Sequence, residues 1–157
     1  MKQKPDALEY AMRCLPHGPE FRFLDRLLSL NSGHQGVGEY RVRGDEFYLR
    51  GHLPGEPLLP GVLLVEAGAQ LAGVVAQDDP FHPNLPRLKL TALRAVKILG
   101  SARPGETLRL EAEITGKLGL LVQAKVSASV AGVNVMSAEL TLSGVSNGQN
   151  DRREAKA

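Results

Sequence analysis

Cysteine occurs once, tryptophan is absent, and aromatic residues make up 4% of the 157-residue chain. With Cys14 alone, neither an intramolecular disulfide framework nor a multi-cysteine metal site can be built, which suits a reducing compartment. So few aromatics leave no surface for stacking bases, and a net charge of +2 is too small to hold a phosphate backbone. Nucleic acid is therefore not expected as a partner. No apolar run reaches the ~20 residues of a membrane-spanning helix, because the longest candidate, Pro60 to Gln77, is interrupted by Glu66, Gly68 and Gly73. The first ten residues, M-K-Q-K-P-D-A-L-E-Y, lack the continuous apolar stretch of a secretory signal. Cytoplasmic residence away from the membrane is the resulting expectation.

What the chain does contain is strand signal on both sides of one long apolar helix. Its length suits a single domain with a substantial core. We assign residues 1–144 to that domain and expect the polar tail 145–157 to be disordered. Leu8, Met12 and Leu15 recur at about one turn, a weak helical pattern that L-P-H-G-P-E-F then breaks. Residues 21–30 and 36–43 read as extended segments. After a Pro-rich loop at 78–86, four Val/Leu/Thr-rich segments follow, at 87–99, 106–116, 120–130 and 133–142. Alternation is plain in Leu108, Leu110, Ala112 and Ile114, and again from Val122 to Val130. One face of each strand is expected to be packed and the other wet.

The stretch from Arg50 to Gln70, R-G-H-L-P-G-E-P-L-L-P-G-V-L-L-V-E-A-G-A-Q, joins a Gly/Pro loop carrying His52 to the start of that helix. Pro60 is a normal helix opener, since its missing N–H would have had no partner there. Steps of four and eleven residues bring Glu66, Gln70 and Gln77 to one side. The rest of the helix is Val, Leu, Ala or Gly, so Glu66 is a carboxylate expected among apolar neighbours. The small residues Ala67, Gly68, Ala69, Ala72, Gly73 and Ala76 would let a sheet approach closely. A sheet curved around one central helix follows.

The segment G-H-L-P-G-E-P-L-L-P-G-V-L-L-V-E-A-G-A-Q resembles the signature G-H-F-P-x-x-P-x-x-P-G-V-x-x-x-E-x-x-A-Q of the (3R)-hydroxyacyl-[acyl-carrier-protein] dehydratases of type II fatty acid synthesis. Upstream, L-P-H-G-P-E-F-R-F-L-D-R resembles that family's L-P-H-R-Y-P-F-L-L-V-D-R, and downstream R-P-G-E-T-L-R-L-E-A-E-I resembles its strand opening at P-G-D. The likeness spans residues 15–144. It implies an α+β hotdog fold, a curved antiparallel sheet wrapped around one long central helix. It also implies removal of water from 3-hydroxyacyl thioesters on an acyl carrier protein, without metal or organic cofactor. His52 matches the family's catalytic histidine and Glu66 its catalytic carboxylate. Gly61 matches the glycine whose amide holds the thioester carbonyl, while Gln70 and His17 match residues that support the site. In that family the histidine and the carboxylate of one site come from different subunits, implying a homodimer that can extend to a trimer of dimers.

The residue types suit the chemistry. Dehydration needs a base for the proton beside the carbonyl, an acid for the departing hydroxide, and a donor for the enolate-like oxygen. A neutral His52 serves as base, Glu66 in an apolar surround as acid, and Gly61 at the helix N-terminus as donor. Gly61 and Glu66 lie ~7.5 Å apart along the helix at ~1.5 Å per residue, so they flank a substrate rather than share an atom. Arg94, Lys97 and Arg103 are candidates for docking an acidic carrier.

Bland readings stand beside each of these. A histidine in a Gly/Pro loop is commonly only a loop residue, Glu66 could be a paired structural carboxylate, and Arg94, Lys97 and Arg103 could be a solvated strand face. His17 shapes the site more readily than it reacts, Cys14 is a small apolar residue, and His34 and His82 are loop histidines. The Asp78-Asp79 pair reads as a helix end. Against the family pattern, Gly18-Pro19-Glu20 replaces Arg-Tyr-Pro after His17, Leu53 replaces Phe, and Ala95-Val96-Lys97-Ile98 replaces K-A-R-F. The last change alters the acyl tunnel or its rim. Two other functions fit the same residues: a hotdog thioesterase using the helix carboxylate with water, and a non-catalytic acyl- or carrier-binding paralogue.

Overall fold

The structure, a computed structural model, describes residues 7–77 and 88–144. The expected loop at 78–86, with Asp78, Asp79 and His82, and the tail at 145–157 lie outside the described residues. A short helix α1 (Ala7–Met12) leads through a 3-10 turn (Pro19–Phe21) to strands β1 (Arg26–Asn31) and β2 (Gln35–Arg41). A second 3-10 turn (Phe47–Leu49) precedes the long helix α2 (Gly61–Gln77). Strands β3 (Lys89–Ile98), β4 (Thr107–Leu118), β5 (Leu121–Val130) and β6 (Val133–Ser143) follow. They form one six-stranded antiparallel sheet in the order β1-β2-β4-β5-β6-β3. The expected α+β arrangement is what the chain adopts, with α2 against one face of the sheet.

Period-two alternation decides which face meets the helix. Leu108, Leu110 and Ala112 of β4, Val122 to Ala128 of β5 on alternate positions, and Met136, Ala138, Leu140 and Leu142 of β6 are buried. The intervening Arg109, Glu111, Glu113 and Lys125 face water. On the helix, residues 67–72 are buried without a break.

Two glycines bring β2 close to α2. A Cβ at Gly36 would stand 2.6 Å from Val75 Cγ2, and one at Gly38 would stand 2.4 Å from Leu24 Cδ1. Gly68 has the role expected of it, since its Cβ would lie 2.9 Å from Val126 Cγ2. Gly73 does not. Nothing lies within 4 Å of where its Cβ would be, because that side of the helix borders a cavity. The extended segment expected at 21–30 is also shorter than expected. Phe21 closes a 3-10 turn, and the ladder begins at Arg26.

Strand β3 ends the sheet on one side and is exposed along its whole length. Leu90, Leu93, Val96 and Ile98 are all exposed there. A long edge carrying that much apolar surface invites pairing with another strand.

Candidate active site

Helix α2 places Glu66 and Gln70 one turn apart on the same side, as their four-residue spacing expects. Gln70 is 2% exposed and fully engaged. Its Oε1 accepts from the Phe23 N–H at 2.8 Å, while its Nε2 donates to the Phe21 carbonyl at 2.9 Å and to Glu66 Oε1 at 3.0 Å. The amide thus stitches the segment after the first 3-10 turn to the helix and steadies the carboxylate. Phe21 and Phe23, the backbone partners, carry no sequence signal for this role, because any residue offers the same N–H and C=O.

His17 reaches the same carboxylate. Its Nε2 lies 3.3 Å from Glu66 Oε1. The other ring nitrogen, Nδ1, is buried with no hydrogen-bond partner among the described residues. Nε2 is thus the ring nitrogen that faces the carboxylate. Arg22 donates from Nη2 to the His17 carbonyl at 3.1 Å, and the His17 and Phe21 rings stack at 6.4 Å. Glu66 Oε2 has no partner among the described residues.

Glu66 has both polar and apolar neighbours. Its side chain is 24% exposed and lies beside one amide and one imidazole. The apolar part is the cavity next to it, of about 70 Å³, which Glu66 lines together with Leu15, Val74, Leu90 and Leu142. Gly73 and Gln77 border it too, so the polar stripe of the helix, including Gln77, faces this opening.

Gly61 opens α2, where the first N–H groups of a helix have no intrahelical acceptor. A Cβ there would stand 3.1 Å from Ile98 Cγ2. The position at which the family pattern has Phe is therefore in contact with the helix start. His52 is in the loop that precedes α2. It follows the second 3-10 turn, with its N–H donating to the Leu49 carbonyl at 3.3 Å, and is half-buried. It makes no hydrogen bond or ion pair to Glu66 of its own chain.

The three basic candidates separate as well. Arg94 on β3 is paired with Glu139 on β6 at 2.6 Å, directly across the ladder. Arg103 lies 3.7 Å from Glu56 in the loop that carries His52. Lys97 has no ion pair among the described residues. His34 sits exposed in the β1–β2 turn, as expected. No group of three His, Cys, Asp or Glu side chains among the described residues could hold a metal ion. Likewise, no helix among them is long and apolar enough to cross a membrane.

A site with these elements can orient a carboxylate at the wall of a small apolar cavity that runs along α2 from Glu66 to Gln77. Residues 15–139 match the FabA-like domain model. The chain is 36% identical over 135 residues to the 3-hydroxyacyl-[acyl-carrier-protein] dehydratase FabZ of Chloroflexus aggregans, covering 85% of this chain and 92% of that protein. It is 41% identical over 101 residues to the enzyme of the same name from Moorella thermoacetica, covering 64% and 69%. Among solved structures, the dehydratase heterocomplex ApeI:P of Xenorhabdus doucetiae superposes with a TM-score of 0.73 at 19% identity, over 87% of this chain and 91% of that one. This last likeness speaks to the fold. Taken with the held carboxylate, these matches establish that the chain belongs to the FabA-like family of hotdog-fold proteins, among the 3-hydroxyacyl-[acyl-carrier-protein] dehydratases.

Proposed function

We propose that this protein is a hydro-lyase that removes water from (3R)-3-hydroxyacyl thioesters on acyl carrier protein, giving trans-2-enoyl thioesters in fatty acid biosynthesis. The observation that carries the assignment to particular residues is the carboxylate of Glu66. Its Oε1 is held by Gln70 and faced by His17, and the residue lines an apolar cavity. A carboxyl placed there suits a substrate hydroxyl.

In this mechanism the substrate carbonyl lies at the N-terminus of α2, where the Gly61 N–H and the helix dipole stabilise negative charge. A ring nitrogen of His52 removes the proton on C2. Its electron pair forms the C2–C3 double bond, the C3–O bond breaks, and Glu66 gives its proton to the leaving oxygen, which departs as water. His52 is left protonated and Glu66 ionised, and proton exchange restores both. Gln70 and His17 hold the carboxylate and take no part in bond changes.

Because His52 and Glu66 do not meet within one protomer, the reading requires the partner subunit's His52 to complete each site. The exposed apolar edge β3 supports such a dimer: a second copy pairing there would cover Leu90, Leu93, Val96 and Ile98 and satisfy the edge backbone. Arg103, beside the His52 loop, is the cation best placed to meet an acidic carrier near the site, with Arg94 and Lys97 further contributors. The single cysteine suits a reducing compartment such as the cytoplasm.

Absorbance of the conjugated enoyl thioester tests this directly. Purified protein should interconvert 3-hydroxyacyl and trans-2-enoyl chains, and His52→Ala and Glu66→Gln should each lower kcat by roughly 10² or more. Turnover on neither carrier-protein nor coenzyme A thioesters, or full activity in both variants, would sink the reading. Release of free thiol would mark a thioesterase.

A further inference from the structure

The loop from Arg50 to Leu58 that carries His52 has few fixed points of its own. Its residues are exposed or half-buried, Leu53 is held at a positive φ of 49°, and only Leu49 before it and Leu59 after it are buried. A side chain that must remove a proton at one carbon cannot be left to such a loop, since small displacements of a reacting group are expensive in rate. Something upstream has to hold it.

That something is a hydrogen-bonded knot of three side chains. Glu46 accepts from the Arg43 N–H at 2.7 Å and the Gly44 N–H at 2.6 Å, closing the turn after β2. Gly44 stands at φ 107°, a conformation few other residues take up. The Tyr40 hydroxyl, on the inner face of β2, lies 3.0 Å from Glu46 Oε1 and 2.7 Å from the Tyr48 hydroxyl. A carboxylate only accepts, so the single Tyr40 proton goes to Glu46 and Tyr48 donates to Tyr40. The Tyr48 ring packs on Phe23 at 5.4 Å. From this knot the backbone runs through Leu49, whose N–H donates to the Glu46 carbonyl at 3.1 Å, to His52, whose N–H donates to the Leu49 carbonyl. Phe23, at the other end, gives its N–H to the Gln70 that holds Glu66.

We infer that Glu46, Tyr40 and Tyr48 are positioning residues that fix the His52 loop for proton removal. The inference rests on the reading of His52 as the base. It touches no substrate atom, and acts only through where His52 stands.

The test compares Tyr48→Phe and Glu46→Gln with the wild-type protein, with Val130→Ala in the β5–β6 hairpin as a control for general loss of stability. Tyr48→Phe keeps the ring and removes one donor. It is expected to lower kcat about tenfold, in line with misplacement of a reacting group, with KM within twofold and a Tm no lower than that of the control, which keeps wild-type kcat. Glu46→Gln should follow in the same direction, and if it fails to fold, Tyr48→Phe decides alone. A kcat within twofold of wild type in Tyr48→Phe overturns the inference, as does a change confined to KM, which would place the clasp in binding. No turnover by the wild-type protein overturns the dehydratase reading itself, and this one with it.

Discussion

Gln70 spends three hydrogen bonds on the Phe23 N–H, the Phe21 carbonyl and the Glu66 carboxylate. Replacing it with Leu keeps the volume but strands the buried Phe23 N–H and removes a donor from the part-buried Phe21 carbonyl. At about 1–3 kcal/mol for an unsatisfied buried group, Gln70→Leu should lower unfolding free energy by about 1–3 kcal/mol in urea titration. It should also lower kcat, since Glu66 loses its anchor. Glu46 and Tyr40 make a second prediction at this scale, in pH. Burial pushes the Glu46 carboxyl up, but the N–H groups of Arg43, of Glu46 itself and of Gly44, with the Tyr40 hydroxyl, outweigh it and hold it below its ordinary 4.5. Its contribution to stability is therefore present above pH 4.5 and lost as pH falls through the depressed value. Tyr40 moves the other way. Burial, then the bond to Tyr48, raises it far above its ordinary 10.0. Its contribution is intact below pH 10 and declines as pH rises further, because the unfolded chain releases that proton first. Chemical denaturation followed across pH should show both losses, and Tyr40→Phe should reduce the alkaline one, leaving the part that burial of Tyr48 contributes.

At the scale of elements, two kinds of glycine that look alike in sequence behave oppositely. Gly36 and Gly38 let β2 lie against α2 and the Leu24 segment, so a larger residue there must displace backbone or core. Gly36→Val should destabilise by about 1–3 kcal/mol as an overpacked core does, read as a lower Tm. Gly73 has open space beside it and lies in mid-helix. Gly73→Ala should raise stability by up to about 1 kcal/mol through helix propensity, while narrowing the cavity that Glu66 lines and so shifting acyl-chain preference toward shorter substrates. The elements themselves were readable from the chain. Leu108, Leu110 and Ala112 against Arg109, Glu111 and Glu113 give the inner face of β4 directly, since side-chain direction in a strand depends only on parity. What parity does not show is that β3 pairs with β6 at the far edge. That depends on where a crossover places a strand, and four similar Val/Leu runs carry no such label.

For the whole molecule, the proposed pairing of one protomer's His52 with its partner's Glu66 means that His52→Ala and Glu66→Gln dimers should each be nearly inactive. Mixed dimers formed by co-expression should recover up to half of the wild-type activity per dimer, because one of the two sites then contains an intact pair. No recovery would place both groups on one chain. Leu93→Glu, on the exposed face of β3, should shift the protein to a smaller species in size-exclusion chromatography and abolish turnover together.

The residues of the proposed site were legible in the sequence. G-H-L-P-G-E-P-L-L-P-G-V-L-L-V-E-A-G-A-Q puts a histidine, a helix-opening glycine and a helix carboxylate at fixed spacing. The helix face shared by Glu66 and Gln70 follows from 3.6 residues per turn. Local geometry of that kind depends on neighbours in the chain, and the chain states them. The tertiary structure alone decided the rest: that His17, far upstream, stands against Glu66 while His52 does not, that Gly73 borders a cavity while Gly68 touches Val126, and that Tyr40 and Tyr48 close on Glu46 beneath the loop. Those pairs are set by how the sheet curves around α2, and the energy of a contact between distant segments has no counterpart in either segment taken alone.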